Sequence, residues 1–355
     1  MARVAIGLSG GVDSSVAAAM LQEAGHEVIG LSMRLYDAPE KAAKSCCSPD
    51  DLFDARWVAD KLGIPFFVLN FTDVFRQSVI EPWAEGYRRG QTPNPCIRCN
   101  AIVKFQALAA RADAVGADAL ATGHFARVAC VDGRWRLGRA DNRIKDQSYF
   151  LYPIPVERLP NFWLPLADLT KEEVRARAHA LGLPTAAKRE SQDACFVTPH
   201  QPFEVVRRIT GADPGAGTIV DEVGRVLGPH KGYDAYTIGQ RRGLGLAGGP
   251  WYVVALRPQT NEVVVRHNNM ATSERVVVEQ AHWHIPPAEG PVRVKLRSRG
   301  EPLDARIEPH PDGRFTLHFD QPAPRPAAGQ VAVAYDADDW IVCGGVIAEA
   351  HGSFR

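Results

Sequence analysis

The sequence lacks an excess of charge of either sign, since 41 lysines and arginines balance 41 aspartates and glutamates over 355 residues. Total charge therefore does not indicate a nucleic-acid-binding protein, and any basic surface must be local. The sequence also lacks an apolar run long enough to span a membrane, and Met1–Val4 lacks the pattern of a signal peptide. We expect a cytoplasmic protein that has no membrane partner.

Without a secretion signal, the seven cysteines indicate thiols with redox, metal or catalytic uses rather than a disulfide scaffold. Cys46 and Cys47 are adjacent, which is poor geometry for zinc, and no second C-x-x-C pair is present in the sequence. A structural zinc site is therefore not favoured. Cys130 and Cys343 lie in apolar strand contexts, which is typical of small buried thiols.

A glycine-rich loop follows the first predicted strand, Val4–Ile6, but it lacks the lysine of a P-loop and the spacing of a dinucleotide-binding loop. Its sequence, Gly7–Ser15, leads into a helical pattern. Gly10 and Gly11 allow backbone angles that a side chain would block, so their N–H groups can converge on an anion. S-G-G-x-D-S resembles the signature of the PP-loop ATP pyrophosphatases, which cleave ATP between the α- and β-phosphates. Asp13 would then partner magnesium or pyrophosphate.

Strands and helices alternate over the first half of the chain. Predicted strands are Val4–Ile6, His26–Met33, Pro65–Phe71 and Ala119–Thr122, and helices are predicted between them, including Asp73–Arg88. This alternation predicts an α/β fold with a doubly wound parallel sheet. Ligands bind such sheets at the carboxyl ends of the strands, where Gly7, Met33 and Gly123 lie.

The pattern changes beyond about residue 200, where glycine and proline become dense, helical periods vanish and short strand patterns begin. This change predicts a small central β domain followed by a C-terminal β-barrel. We predict a PP-loop domain over residues 1–200, the central domain over 201–272 and the barrel over 273–355.

One predicted strand, Val292–Arg299, alternates apolar residues with the cations Arg293, Lys295, Arg297 and Arg299. With a period of two, these cations would share one face of the strand. Such a ridge suits a phosphate backbone, but a solubilising outer face would explain it as well.

Two cysteine sites stand out from the rest. Cys96 and Cys99 form a C-x-x-C pair in a predicted polar loop, Gln91–Asn100. The pair allows a disulfide, a metal half-site or a reactive thiolate, which the neighbouring Arg98 would favour. Cys195 is predicted at a strand edge or in a loop. An ATP-activated oxygen together with reactive thiols suggests sulfur transfer, in which one thiol carries the sulfur and a second accepts or releases it.

These motifs occur in order along most of the chain, and together they resemble the bacterial tRNA-specific 2-thiouridylases. The matching stretches are Gly7–Ser14, Thr92–Asn100, Lys104–Phe105, Ala121–His124, Lys145–Leu151, Ser191–Phe196, Thr237–Gly245 and Pro250–Val254. The resemblance implies ATP-dependent 2-thiolation of the wobble uridine in tRNAs for Lys, Glu and Gln, through an adenylated uridine and a cysteine persulfide. A separate persulfide donor, a cysteine desulfurase or a sulfur-relay protein, is then required.

The resemblance also assigns roles to residues of this chain. Cys99 would be the nucleophile and Cys195 the persulfide carrier, able to form a disulfide with each other. ATP, with Mg²⁺, would bind at Gly7, Leu8, Ser9, Gly10, Gly11, Val12, Asp13, Ser14, Met33 and Gly123. The target base would face Asn94, Pro95 and Cys96. The tRNA would contact His124, Lys145, Asp146, Gln147, Arg297, Ser298 and Gln330.

Cys96 departs from the family pattern, because some members carry an aspartate there that is a proposed acid/base. The departure puts a carboxylate role at this position in doubt. It also creates a set of three thiols, Cys96, Cys99 and Cys195. Three thiolates and one open iron position would suit an oxygen-sensitive iron–sulfur cluster, which we keep as a hypothesis.

Two other functions remain open from the sequence. One is a PP-loop ligase that adenylates a small acceptor, but such enzymes usually need a glutamine-hydrolysing domain or a bound amine, and no pattern here indicates that domain. The other is a non-catalytic RNA- or nucleotide-binding module, which would bind ATP without tRNA-dependent AMP formation. The intact Ser9–Ser14 motif and the two cysteines, Cys99 and Cys195, argue against the second.

Overall fold

The computed structural model describes residues 1–36, 49–188, 194–197, 202–268 and 271–351. The chain divides into two compact units. Unit 1 comprises Met1–Val79, Cys96–Val197 and Asp338–Ile341, and unit 2 comprises Ile80–Pro95, Thr198–Ala337 and Val342–Arg355. Both units combine stretches that are distant in the chain. The division into three domains that the sequence indicates stays a prediction.

The strands of unit 1 are β1 (Arg3–Gly7), β2 (Glu27–Arg34), β3 (Phe66–Asn70), β4 (Ala119–Ala121), β5 (Ala126–Val131), β6 (Arg134–Arg139) and β7 (Phe162–Trp163). Five of them form a parallel sheet in the order β3-β2-β1-β4-β7. β5 and β6 form an antiparallel hairpin. The predicted α/β fold with its parallel sheet is confirmed.

Helices alternate with these strands. They are α1 (Val12–Glu23), α2 (Pro49–Leu62), α3 (Thr72–Phe75), α4 (Glu81–Arg88), α5 (Pro95–Arg98), α6 (Ala109–Ala114), α7 (Ser148–Leu151), α8 (Lys171–Ala180) and α9 (Pro202–Thr210), with π-helical turns at Arg76–Ile80 and Cys99–Leu108 and 3₁₀ turns at Val156–Asn161 and Tyr233–Ala235. The helix predicted over Asp73–Arg88 is thus α3, a π-helical turn and α4. In the part of the chain that the structure describes, no helix is long and apolar enough to cross a membrane.

The core of unit 1 fixes the edge where ligands are expected. Val4 and Ile6 of β1 and Val16 and Ala17 of α1 are fully buried in one cluster. The small side chains of α1 let the helix pack closely on the sheet. The turn between β1 and α1 is therefore held on both sides by buried structure.

The prediction of a loop over Gln91–Asn100 is wrong for the second half of that range. α5 begins at Pro95, and a π-helical segment begins at Cys99, so both cysteines of the C-x-x-C pair are helical. Proline is favoured at a first helical position because its missing N–H would have no helical acceptor there. The proline-rich composition that suggested a loop is therefore a helix start.

The described residues after position 201 contain ten strands: β8 (Gly217–Asp221), β9 (Val226–His230), β10 (Trp251–Arg257), β11 (Glu262–His267), β12 (Thr272–Trp283), β13 (Gly290–Lys295), β14 (Leu303–Pro309), β15 (Phe315–Pro324), β16 (Val331–Tyr335) and β17 (Ile341–His351). The first four form a sheet in the order β10-β11-β8-β9. The remainder close into a barrel in the order β12-β15-β14-β13-β16-β17. The predicted small β domain and β-barrel are confirmed.

The predicted ridge of cations on Val292–Arg299 is wrong. β13 ends at Lys295, so the alternation of a strand does not extend to Arg297 and Arg299. Lys295 lies opposite Val333 of β16 and is only 4% exposed. The side chains at these positions therefore do not form a single exposed row.

Candidate active site

The loop between β1 and α1 is closed by its own serines. Ser9 N–H donates to Ser14 Oγ at 3.2 Å, and Ser14 Oγ donates to the Gly11 carbonyl at 3.1 Å. Ser15 Oγ donates to the same carbonyl at 2.8 Å. These bonds hold the loop against the first turn of α1, where unpaired N–H groups and the helix dipole favour an anion.

Several predicted ATP-binding positions can offer only their backbone. The side chains of Leu8 and Val12 are buried in the core of unit 1. Gly7 is the last residue of β1, and Met33 lies half-buried near the end of β2. Ser9 is exposed, and its Oγ lies 3.2 Å from Ser14 Oγ.

Two positions require glycine because backbone atoms of other segments approach them closely. Gly10 has φ +69°, and a Cβ there would lie 2.1 Å from the carbonyl oxygen of Asp51 in α2. At Gly123, a Cβ would lie 2.5 Å from Ser14 N and 2.7 Å from the carbonyl carbon of Asp13. The structure therefore brings Gly123, which follows β4, directly onto the loop.

The loop itself contains no lysine, but two lysines that lie far along the chain contact it. Thr170 and Glu173 form a capping box, which starts α8 at Lys171. Lys171 donates to the carboxylate of Asp13, and its side chain is 7% exposed against 31% for Asp13. The two residues are 158 positions apart. No local pattern in the sequence could indicate this pair.

A second lysine contacts the backbone of the loop. Lys188 Nζ donates to the Gly10 carbonyl at 2.9 Å and to Asp51 Oδ1 at 2.6 Å, and it also donates to the carboxylate of Asp54. Lys188 thus joins the loop to α2. It was missed in the sequence because it lies 178 positions after Gly10.

The cysteines assigned to sulfur chemistry all belong to unit 1. Cys96 is the second residue of α5 and is exposed, whereas Cys99 begins the π-helical segment and is buried. Cys195 is half-buried. Residues 191–193 of the Ser191–Phe196 motif, and Cys46 and Cys47, lie outside the described residues.

One helical element anchors the segments that carry Cys99 and Cys195. Phe196 packs edge-to-face on Phe75, with ring centroids 5.7 Å apart. Arg98 Nε donates to the carbonyl of Ser78 at 2.8 Å. Phe75 and Ser78 are three residues apart in the continuous helical run from α3 into Arg76–Ile80. The residue after Cys195 and the residue before Cys99 therefore contact neighbouring turns of the same helix.

The donor set does not fit the hypothesised iron–sulfur cluster. Among the described residues, no three or more His, Cys, Asp or Glu side chains are grouped so that they could hold a metal ion. Cys96, Cys99 and Cys195 all lie in the described part of the chain. They do not form a ligand set in this structure.

Of the two cysteines predicted to be buried thiols, one is buried. Cys343 is fully buried, and burial raises the pKa of its thiol well above the ordinary value. Cys130 is exposed, and that prediction is wrong. Its strand, β5, pairs only within a two-stranded hairpin in the described structure, so an apolar strand pattern did not guarantee burial there.

His124 is held neutral beside a lysine. Its Nδ1 lies 2.8 Å from Thr122 Oγ1, and its Nε2 lies 3.4 Å from Lys104 Nζ. An ammonium can only donate, so Nε2 accepts and Nδ1 carries the proton. Loss of hydration, with the Lys104 charge, lowers the pKa of His124 well below the ordinary value. A contact from this residue to RNA would be a hydrogen bond of a neutral ring.

Gln147 links the predicted tRNA-contacting loop to the residue after His124. The N–H of Phe125 donates to Gln147 Oε1 at 2.9 Å, and the N–H of Gln147 donates to the Phe125 carbonyl at 2.7 Å. Lys145 precedes this link and is half-buried. The structure thus joins the Lys145–Gln147 loop to the segment Gly123–Phe125, in which Gly123 approaches the phosphate loop.

Asp146 is a buried structural residue of this loop. Its carboxylate is fully buried, pairs with Arg139 Nε at 3.3 Å and accepts from the N–H groups of Ala140 and Ser148 at 3.2 and 3.1 Å. Arg139 Nη1 also pairs with Asp339 at 3.1 Å. A role of Asp146 in tRNA binding would therefore act through the positions of its neighbours.

Replacing Asp146 with Asn is expected to cost about 3 kcal/mol of unfolding free energy, because an amide nitrogen would face N–H donors and a buried ion pair would be broken. Urea unfolding measures the loss. The matched control is Asp113→Asn, which breaks an exposed pair with Arg158 and is expected to cost less than about 1 kcal/mol. Wild-type stability of Asp146→Asn combined with weaker tRNA binding would show a direct contact instead.

In unit 2, Gln330 supports the segment before the predicted target-base residues. Its Nε2 donates to the Thr92 carbonyl at 2.8 Å, and Thr92 N–H donates to the Ala328 carbonyl at 2.9 Å. Asn94, also of unit 2, is half-buried. Gln330 therefore fixes the backbone two residues before Asn94.

The remaining residues predicted to contact the target base or the tRNA differ in their exposure. Pro95, half-buried, belongs to unit 2, and Cys96 belongs to unit 1. Arg297 is exposed and Ser298 half-exposed, just beyond the end of β13. The exposure of Arg297 is compatible with a phosphate contact.

Three family models match the chain in order. They are a tRNA methyl transferase HUP domain over residues 2–199, a tRNA methyl transferase PRC-barrel domain over residues 204–267 and an aminomethyltransferase β-barrel domain over residues 273–347.

The chain is also similar to curated proteins named tRNA-specific 2-thiouridylase MnmA. The protein of Chloroflexus aggregans is 45% identical over 344 residues, which cover 95% of this chain and 96% of that protein. The protein of Geotalea uraniireducens is 42% identical over 358 residues, 98% of this chain and 95% of that protein. A solved 4-thiouridine synthetase–RNA complex with bound ATP is 15% identical over 59% of this chain and 52% of that chain, with a TM-score of 0.35, a likeness too low to support a functional conclusion.

Proposed function

Because the chain belongs to the family of tRNA-specific 2-thiouridylases, we propose that it uses ATP to replace O2 of the wobble uridine of tRNA with sulfur. Its substrates are the tRNAs for Lys, Glu and Gln. One observation carries the proposal: a single compact unit holds the phosphate-binding loop and the two cysteine segments, and these segments are anchored on the same helical run.

The first step activates the uridine. Its O2 attacks the α-phosphate of ATP, a new P–O bond forms, the bond to the β-phosphate oxygen breaks, and pyrophosphate leaves. The loop Gly7–Ser14 binds the phosphates with its N–H groups at the start of α1. The Lys171 cation offsets the charge of Asp13, which would otherwise repel the triphosphate. The carboxylate of Asp13 would hold the Mg²⁺ that accompanies ATP, and the ion would neutralise phosphate charge there.

The second step transfers the sulfur. The terminal sulfur of a Cys195 persulfide attacks C2 of the adenylated uridine, and AMP leaves with the former O2. The thiol of Cys99 then attacks Sγ of Cys195, and the bond to the transferred sulfur breaks. The products are 2-thiouridine, a Cys99–Cys195 disulfide and one proton. A dithiol reductant restores both thiols.

A separate persulfide donor, a cysteine desulfurase or a sulfur-relay protein, then reloads Cys195. The half-buried position of Cys195 supports this exchange, since the donor must reach it, while the buried Cys99 suits a resolving thiol. No step is assigned to an iron–sulfur cluster, because the donors present do not fit one. No acid–base step is assigned to Cys96.

Nucleoside mass spectrometry tests the proposed function. The full chain, ATP, magnesium, a cysteine desulfurase with cysteine, and unmodified tRNA for Glu are expected to yield 2-thiouridine. Reactions without ATP, and tRNA with cytidine at the wobble position, are the controls and are expected to yield none. AMP formation on a small acceptor, without a thionucleoside, would favour the adenylating ligase.

A further inference from the structure

Lys188 holds the backbone of the phosphate loop from outside the loop. Its ammonium has three N–H donors, and three acceptors meet them: the Gly10 carbonyl, Asp51 and Asp54. All three donors are therefore in use. A contact from Lys188 to a phosphate would require one of these bonds to break, so the geometry favours an action through the loop.

Lys188 stays charged in this position. Burial lowers the pKa of Lys188, but hydrogen bonds and the charges of Asp51 and Asp54 outweigh that effect and raise it above the ordinary value. Its side chain is 30% exposed. The bond to the Gly10 carbonyl is therefore a charge-assisted one, which is stronger than a bond between neutral groups.

The acceptors on α2 are fixed with respect to the loop. The backbone of Asp51 approaches Gly10 so closely that a Cβ on Gly10 would overlap its carbonyl oxygen. Asp54 lies one turn further along the same helix. Lys188 is thus held by two carboxylates on a rigid element that abuts the loop, which limits where its ammonium can place the Gly10 carbonyl.

The bond to Gly10 decides which side of a peptide faces a ligand. The Gly10–Gly11 peptide is trans, so its C=O and N–H point in opposite directions. When Lys188 draws the carbonyl toward α2, the N–H of Gly11 is turned to the opposite side. A flipped peptide would instead present a carbonyl oxygen, which repels phosphate. Gly10, at φ +69°, has the left-handed conformation found in anion-binding turns of successive N–H groups.

We propose that Lys188 is a positioning residue of the ATP site, which holds the Gly10–Gly11 peptide with its N–H presented to the phosphates of ATP. This proposal rests on the proposed function only in taking ATP as the ligand of the loop. The lysine of a P-loop contacts the phosphates directly. Lys188 lies outside the loop and instead assists phosphate binding by orienting the loop backbone.

Lys188→Met removes the three bonds and keeps an unbranched side chain. The variant is expected to bind ATP roughly 10- to 100-fold more weakly than the wild type, because amide–phosphate hydrogen bonds are lost. Its affinity for adenosine, which has no phosphates, is expected to be unchanged. Calorimetric titration with each ligand measures both values. Lys61→Met is the matched control, since Lys61 is an exposed lysine in the last turn of α2.

Equal loss of ATP and adenosine affinity would overturn the proposal, because a general loosening of the site would explain it. Wild-type affinity for ATP would also overturn it. If Lys188→Met does not fold, Lys188→Arg replaces it: this variant keeps the charge but cannot place one nitrogen at all three acceptors, so a smaller, ATP-selective loss is expected. An absence of 2-thiouridine formation by the wild type would contradict the proposed function and leave these binding results unaffected.

Discussion

Gly10→Ala is expected to abolish ATP binding and to lower the free energy of unfolding by about 3 kcal/mol or more. Alanine is strained at φ +69°, and its Cβ would lie 2.1 Å from the carbonyl oxygen of Asp51, so either the loop or α2 must move. Either movement also disturbs the Lys188 contacts. Thermal unfolding and calorimetric ATP titration measure the two effects.

The adjacent glycine is the control for this prediction. Gly11 has φ −100°, and a Cβ there would meet only Ser9 Oγ, at 3.4 Å. Gly11→Ala is therefore expected to keep nearly the unfolding free energy of the wild type. A loss of ATP affinity in this stable variant would place the phosphates close to Gly11. If both alanine variants were equally stable, the close approach of α2 to Gly10 would be wrong.

Replacing Cys195 with Ser is expected to reduce 2-thiouridine formation by roughly 1,000-fold or more, since the group that carries the sulfur is lost. tRNA-dependent release of pyrophosphate is expected to continue, because adenylation uses the phosphate loop and not the thiol. Nucleoside mass spectrometry and a pyrophosphate assay on the same reactions measure the two steps separately.

Cys99→Ser is expected to stop the reaction after the sulfur has been attached to the uridine, one step later than Cys195→Ser. The sulfur reaches C2, but without the resolving thiol the tRNA stays joined to Cys195 through a disulfide bond. A tRNA–protein conjugate that dithiothreitol cleaves is therefore expected on a non-reducing gel. The control is Cys130→Ser, which changes an exposed cysteine that has no assigned role in the reaction. Thiouridine formation that persists in Cys195→Ser would move sulfur delivery to free sulfide or to another carrier.

The fold of unit 1 could be predicted because its strands are short apolar runs between turn signals. Val4–Ile6 and Ala119–Thr122 are examples, and the capping box at Thr170 marked the start of α8. The α9 helix, Pro202–Thr210, was missed, since it is short and lies in a region rich in glycine and proline. Its buried face contains Val205 and Val206, too few residues to show a helical period.

The site could be predicted only where its residues are close in sequence. The Ser9–Ser14 motif marks the phosphate loop by local spacing, and the cysteines were found by residue type. Lys171 and Lys188 reach the loop through the tertiary fold, which no periodicity encodes. Asp146 and Gln330 show the converse limit. The resemblance assigned both to tRNA contact, but Asp146 pairs with Arg139 and Gln330 donates to the Thr92 carbonyl, and these contacts within the protein cannot be read from the sequence.

The chain segments that make up unit 1 determine which fragments of the protein contain the whole unit. The short stretch Asp338–Ile341, between β16 and β17, belongs to unit 1, where Asp339 pairs with the buried Arg139 and the Trp340 ring lies 4.0 Å from the Arg127 guanidinium. A truncation at residue 200 would remove both partners and leave Arg139 with a single buried carboxylate. An N-terminal fragment that ends at residue 200 would therefore lack part of unit 1.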